Sequence, residues 1–268
     1  MIPPLWFRYT RLPPASAYAG QQTEYAPGYA TYASYNYLRG GLIARVKASH
    51  FEAALRMTRP WLGRANAIDF GCADGVFLPS LAKWFPKVVG IDRDADSVAI
   101  AEQAVRAVGL PNVRLLCDDG ADSTALRAQL QPDRFEVLYT IMTLEHFGEQ
   151  GRVYESRAEL VERMFELLEP NGVIVVGVPN MVGLAFLLQR IALWAGGLHR
   201  DEIGVRDTFN AIVRKDTLAL EPNWCPETHL GFNHVKLLDA LREHTYVLDH
   251  RSLLFEETFL LSRRAPRG

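Results

Sequence analysis

The hexapeptide "VIVVGV" at 173–178, delivered by the turn "EPNG", is apolar at every position. A strand with one wet face alternates, whereas an unbroken apolar run marks a strand covered on both faces, as in parallel sheets flanked by helices. Largely apolar segments upstream, at 65–70, 88–91, 113–117 and 135–140, also read as strands. Helical patterns separate or precede them: 42–62, ending near Pro60, then 78–85, then a helix capped by Asp94. That last helix carries Val98, Ala101, Val105 and Val108 on one face, and Gly109 and Pro111 stop it. A further helix covers roughly 153–168. The alternation predicts an α/β fold built on a doubly wound parallel sheet.

The tail changes rhythm. Asn233 caps a helix running to Arg242, and "YVLDHRSLLF" and "ETFLLSRR" then read as two strands joined tightly. A hairpin at the end of a parallel sheet implies an antiparallel last strand. With 268 residues, 49% of them hydrophobic, the chain can bury the core of one large domain, alone or with a lid. Residues 1–41 stand apart. Seven of the ten tyrosines fall within 1–50, where five Lys or Arg face a single acid, Glu24. "EYAPGYATYASYNYLRGG" is either an irregular arm packed on the domain or a lid whose tyrosines stack on a ring-shaped or apolar ligand.

A net charge of -2 leaves no global bias toward nucleic acid or an anionic membrane surface. Cys72, Cys117 and Cys225 show neither short pairing nor zinc spacing, which suits a reducing cytoplasm. Prolines interrupt "MIPPLWFRYTRLPP" where an export signal would be apolar, so none is expected. The most membrane-like stretch, 181–198, is broken by Gln189 and Arg190.

The strand at 65–70 runs into "DFGCADGV", with small residues at Gly71, Ala73 and Gly75. Ligands of open parallel sheets bind beyond such strand ends. A dinucleotide loop would place its third glycine where Val76 stands, and would not carry an acid such as Asp74 in a phosphate nest. A cationic, phosphate-free ligand such as a sulfonium fits better, with Asp69 facing its ammonium group. Asp92 closes "VVGID", where an acid accepts both hydroxyls of a ribose.

These segments together resemble the class I S-adenosylmethionine-dependent methyltransferases. "AIDFGCADGVFLPSLA" is similar to their glycine-rich motif, "VVGIDRD" to their acidic second strand, and "LLCDDGAD" to the segment that meets the adenine. "FEVLYTIMTLEHF" and "LLEPNGVIVVGVPN" resemble the fourth and fifth strands of quinone-biosynthesis-type O-methyltransferases. The likeness covers about 65–180 and returns at 229–263, with Ala73, Glu136 and Asn171 departing from the usual residues. It implies a Rossmann-like, seven-stranded, mostly parallel sheet with an antiparallel last strand, a methyltransferase domain over 42–268, and a lid insertion at about 180–228. It also implies Gly71, Cys72, Ala73 and Gly75 along the methionine portion and Asp92, followed by Arg93, at the ribose. Asp118 or Asp119 would meet the adenine, and the Thr140, Ile141 and Met142 backbone would lie beside the sulfonium. No metal is expected.

Methyl transfer is an in-line displacement, so the protein chiefly positions the nucleophile; an alcohol acceptor also gains from a base. His146 and His229 are the candidate bases. The Glu145–His146 pair also reads as a cap on the next segment or a support of its loop, and His234 as a first-turn surface residue. The insertion opens with an apolar helix, "MVGLAFLLQRIALWAGGL", ended by glycines 196 and 197. It suits a lid, a homodimer contact, or peripheral contact with a membrane or lipid-linked acceptor. "HRDEIGVRDTFNAIVRKDT" would be a mobile flap. The expected partner is a small-molecule hydroxyl on a glycan, polyketide or quinone-like ring, not nucleic acid. The alternatives are N-methylation of an amino sugar, a non-methylating reaction on the same fold, or a non-catalytic scaffold.

Overall fold

A computed structural model describes residues 8–18, 25, 28–38, 41–149, 151–195, 203–221 and 229–265. Seven strands form one sheet in the order β3-β2-β1-β4-β5-β7-β6. They are β1 (Ala67–Phe70), β2 (Val88–Asp92), β3 (Val113–Cys117), β4 (Val137–Ile141), β5 (Val173–Pro179), β6 (Tyr246–Leu253) and β7 (Glu256–Ser262). The first five pair in parallel, with Ile68 beside both Val89 and Leu138. β7 runs antiparallel to β5 and β6, so it alone is reversed, as the tail hairpin predicted.

Strand periodicity explains the two cores. Along β4, Leu138 points into one apolar cluster while Val137, Tyr139 and Ile141 point into the other. The first is closed by α4 (Ser123–Leu130), α5 (Val153–Glu166) and α8 (His234–Arg242), through Leu126, Val161 and Leu237. The second is closed by α1 (Gly41–Met57), α2 (Leu78–Trp84) and α3 (Ala95–Val108), through Leu55, Leu81 and Ala104. Every residue of "VIVVGVP" is buried, as double coverage requires.

Local signals account for most boundaries. The Asp94 side chain accepts the Ser97 N–H, and Gly109 ends α3 in the left-handed conformation. Asn233 caps α8 through the N–H groups of Val235 and Lys236. α4 is not expected from apolar periodicity, although Asp122 caps it and Leu126 and Leu130 are buried.

The insertion starts with α6 (Gly183–Ala195), whose Leu184, Ile191 and Trp194 are exposed. The glycines at 196 and 197 lie outside the described residues, as does Cys225. The expected flap is helical in its described part: α7 (Val205–Phe209) continues into a π-helical turn, and Ala211, Thr217 and Leu220 are buried. Those side chains join it to the domain. Among the described residues no helix is long and apolar enough to cross a membrane.

Candidate active site

A cavity of about 350 Å³ opens beyond the carboxyl ends of β1, β2 and β4, where strand order reverses. Its floor is the loop after β1. Gly71, Ala73 and Gly75 all have positive φ, at 81°, 46° and 83°. The every-second-residue spacing of small side chains therefore serves the backbone first. A Cβ on Gly71 would sit 2.3 Å from the Thr143 side chain, and one on Gly75 would press Leu78 and Ala101 at 3.1 and 3.2 Å. Gly71, Cys72 and Ala73 line the cavity, whereas Gly75 faces α3 instead.

Asp92 fixes this loop. One carboxylate oxygen accepts the Ala73 N–H at 2.8 Å and the other the Asp94 N–H at 3.0 Å. Its remaining lone pairs border the cavity beside Arg93, whose guanidinium lies 5.4 Å from the centre of the Phe147 ring. Asp69 is buried on the wall, and its Oδ2 has no hydrogen-bond partner among the described residues. Burial, then the neighbouring Asp92, pushes its carboxyl up to about 8. A buried acid without a partner is costly unless a ligand satisfies it. Asp118 and Asp119 also line the cavity, their carboxylates accepting the N–H groups of Gly120 and Ala121.

Asp74 corrects the sequence reading. It lies inside the loop but does not line the cavity. Its Oδ2 turns toward the N-terminal arm and accepts the Ala33 N–H at 2.6 Å. Burial pushes it up to about 6 against that hydrogen bond. The arm is pinned elsewhere too, by Tyr9 donating to the Val76 carbonyl and the Thr10 N–H donating to Ser80 Oγ. Tyr25, Tyr32 and Tyr37 of the arm line the cavity, and they meet edge-on in the pairs 25–32 and 32–37. The packed arm and the tyrosine wall are thus one structure.

The end of β4 supplies the opposite wall. Ile141, Met142 and Thr143 line it, with Met142 in a left-handed turn, while Thr140 is fully buried in the sheet and does not line it. The turn Leu144–His146 follows. Arg157, almost fully buried, clamps it from below by donating to the Glu145 and Phe147 carbonyls at 2.9 and 2.8 Å. His146 lines the cavity; His229 does not, but its ring lies 5.4 Å from that of His146. Between them sits Glu145, fully buried, with neither carboxyl oxygen hydrogen-bonded among the described residues and one oxygen 4.0 Å from a nitrogen of each ring.

One carboxylate oxygen and two ring nitrogens therefore lie within 4.8 Å of one another. Sequence spacing could not show this grouping, because His229 arrives from a distant segment. Burial pushes Glu145 up to about 8 and His229 down to about 3; it also lowers His146, helped by Arg93 and Arg157. Burial thus disfavours the charged form of both rings. His234, expected at the surface, is buried, 4.0 Å from Glu257.

Residues 43–219 match the model of a family described as a methyltransferase domain. The ubiquinone biosynthesis O-methyltransferase of Azorhizobium caulinodans is 27% identical over 153 residues, 57% of this chain and 55% of that protein. The chain thus spans about half the length of that curated relative. The protein of the same name from Bradyrhizobium diazoefficiens is 23% identical over 224 residues, 83% of this chain and 72% of its own. Among solved structures, the N-methyltransferase NodS of Bradyrhizobium japonicum with S-adenosyl-L-homocysteine superposes with a TM-score of 0.51 at 14% identity, covering 83% of this chain and 88% of that one. The [4+2]-cyclase SpnF superposes with a TM-score of 0.53 at 13% identity, covering 81% and 82%. At such identities these two structures show a shared fold.

Proposed function

Because the chain belongs to the methyltransferase-domain family, we propose that it transfers the methyl group of S-adenosylmethionine to a hydroxyl oxygen of a small-molecule acceptor. One observation supports the cofactor most directly: the buried Asp69 carboxyl on the cavity wall, whose Oδ2 has no hydrogen-bond partner among the described residues. Asp69 is suited to an ammonium group, Asp92 to ribose hydroxyls, and Asp118 or Asp119 to the adenine edge. When bound, S-adenosylmethionine supplies a methyl group already activated by its sulfonium. What remains for the chain is to orient the acceptor, exclude water and accept a proton.

His146, on the cavity wall, is the first candidate to accept that proton, with Glu145 and His229 behind it. The tyrosine wall and Phe147 suit a flat ring or a sugar face as acceptor. The exposed Leu184, Ile191 and Trp194 on α6 support an acceptor or partner with an apolar portion, at a membrane surface or in a homodimer. Free thiols at Cys72 and Cys117 support a reducing cytoplasm. The reading uses no metal, and activity is expected to survive treatment with a chelator; loss reversed by a divalent cation would assign the Glu145–His146–His229 group to that cation instead.

Calorimetric titration tests the cofactor assignment. S-adenosylmethionine and S-adenosylhomocysteine are expected to bind and NAD not to bind, with Asp92→Ala weakening the first two. Equal binding of NAD would overturn the reading of the loop.

A further inference from the structure

Besides His146, the cavity offers the acceptor proton a second destination. Tyr32 and Tyr37 line the cavity, and their hydroxyls lie 3.5 Å apart. The Tyr37 hydroxyl is 3.4 Å from His50 Nε2. On the other side of that ring, Nδ1 meets Glu256 Oε2 at 2.7 Å. The approach lacks the angle of a hydrogen bond, and neither atom has a hydrogen-bond partner among the described residues. His50 is 1% exposed and Glu256 6%, so the pair is sealed from water between α1 and β7. The arm, α1 and β7 thus converge on one unbroken file of polar groups leading from the cavity inward.

The donor and acceptor inventory gives this file a direction. A carboxylate only accepts, so the close approach of Glu256 favours by charge the ring tautomer with its proton on Nδ1. His50 Nε2 is then an acceptor, Tyr37 donates to it, and Tyr32 donates to Tyr37. As donor to Tyr37, the Tyr32 oxygen retains acceptor capacity, and Tyr32 lines the cavity. Burial pushes both phenols up, so neither is a phenolate in its own right. They pass a proton along while staying neutral.

We propose that Tyr32, Tyr37, His50 and Glu256 form the proton relay for methyl transfer, with Tyr32 meeting the acceptor hydroxyl and Glu256 positioning the His50 ring. The proposal rests on the hydroxyl-transfer reading above. The acceptor oxygen gains the methyl as the sulfur–methyl bond breaks, its electron pair staying on sulfur. The acceptor O–H proton passes to the Tyr32 oxygen, the Tyr32 proton to Tyr37, and the Tyr37 proton to His50 Nε2. The imidazolium so formed faces a carboxylate, an arrangement that neither His146 nor His229 enjoys at hydrogen-bond distance.

Two measurements decide it. Nitrogen-15 NMR of the cofactor-bound protein reads the His50 tautomer, with Glu256→Gln and His50→Gln for assignment. A neutral ring protonated on Nδ1 is expected, and a ring protonated on Nε2 overturns the relay. Kinetics then use two phenolic probes, catechol and 4-nitrocatechol, the second already ionised at neutral pH. Tyr37→Phe and His50→Gln are expected to lower kcat on catechol by about 100-fold, the scale of a lost general base, and by less than about threefold on 4-nitrocatechol. Equal losses on both probes would make the network merely structural and overturn the proposal. If the wild-type protein binds S-adenosylmethionine yet releases no S-adenosylhomocysteine with either probe, phenol transfer fails as a reading, and the ring tautomer alone decides the relay.

Discussion

The carboxylate of Asp74 accepts the backbone N–H of Ala33 at 2.6 Å, tying the cofactor loop to an arm 41 residues earlier. Because Tyr32 and Tyr37 flank that anchor and line the cavity, loop and arm are set by one contact. Asp74→Ala is expected to weaken cofactor binding about tenfold, the effect of about 1.4 kcal/mol. Faster cleavage of the arm in limited proteolysis should accompany it. Unchanged affinity and unchanged proteolysis would mean that the arm holds its place without this link.

Gly71 stands under a tighter constraint. With φ at 81° and Thr143 atoms 2.3 Å from a prospective Cβ, Gly71→Ala cannot be accommodated without moving the end of β4. Cofactor affinity is expected to fall by at least about 100-fold, or some 2.7 kcal/mol, while the far-ultraviolet dichroism stays that of the folded protein. Adding Thr143→Ala removes the two closest atoms and should restore part of the loss. No recovery in the double variant would place the defect in the backbone angle alone.

The Asp69 carboxyl carries a pH prediction. Raised to about 8, it holds a proton at neutral pH, whereas a bound ammonium group requires it ionised. Binding below about pH 8 must therefore expel that proton, and affinity must fall as pH drops. Calorimetry at pH 7 in buffers of different ionisation enthalpy should register release of about one proton per cofactor. Asp69→Asn should abolish the release. Proton uptake, or none at all, would remove Asp69 from the ammonium site.

Glu145 makes an opposite kind of test, on stability. Its folded-state carboxyl, near 8, lies above the ordinary carboxylate range, so the folded protein binds more protons than the unfolded chain. That contribution is fully present below the unfolded pKa and is lost as pH rises through about 8. Glu145→Gln keeps a neutral group at every pH. Its Tm should match the wild type at pH 5 and exceed it at pH 8.5 by about 2–4 °C for each kcal/mol recovered. A variant less stable at both values would show that the carboxylate itself is needed.

The fold was legible where signals are local. Apolar segments, unbroken only in β5, located the central strands, Asp94 and Asn233 announced their helices, and the tail hairpin foretold the reversed β7. α4 escaped notice because its apolar face is only Leu126 and Leu130, too few for a clear period, although Asp122 was a readable cap. The small residues at 71, 73 and 75 were visible, but their cause is three left-handed backbone positions. Asp74 could not be placed, since its partner is a backbone group in the arm. Glu145 between His146 and His229, and His50 against Glu256, are juxtapositions made by tertiary packing, which no spacing along the chain encodes.

Label transfer is the most direct test of the central claim. The purified protein is incubated with methyl-labelled S-adenosylmethionine and either phenolic compounds or a cell extract. The account predicts S-adenosylhomocysteine release matched by label in an oxygen-linked, alkali-stable methyl group. Cofactor binding without release in any mixture, or label found only on nitrogen, would contradict it.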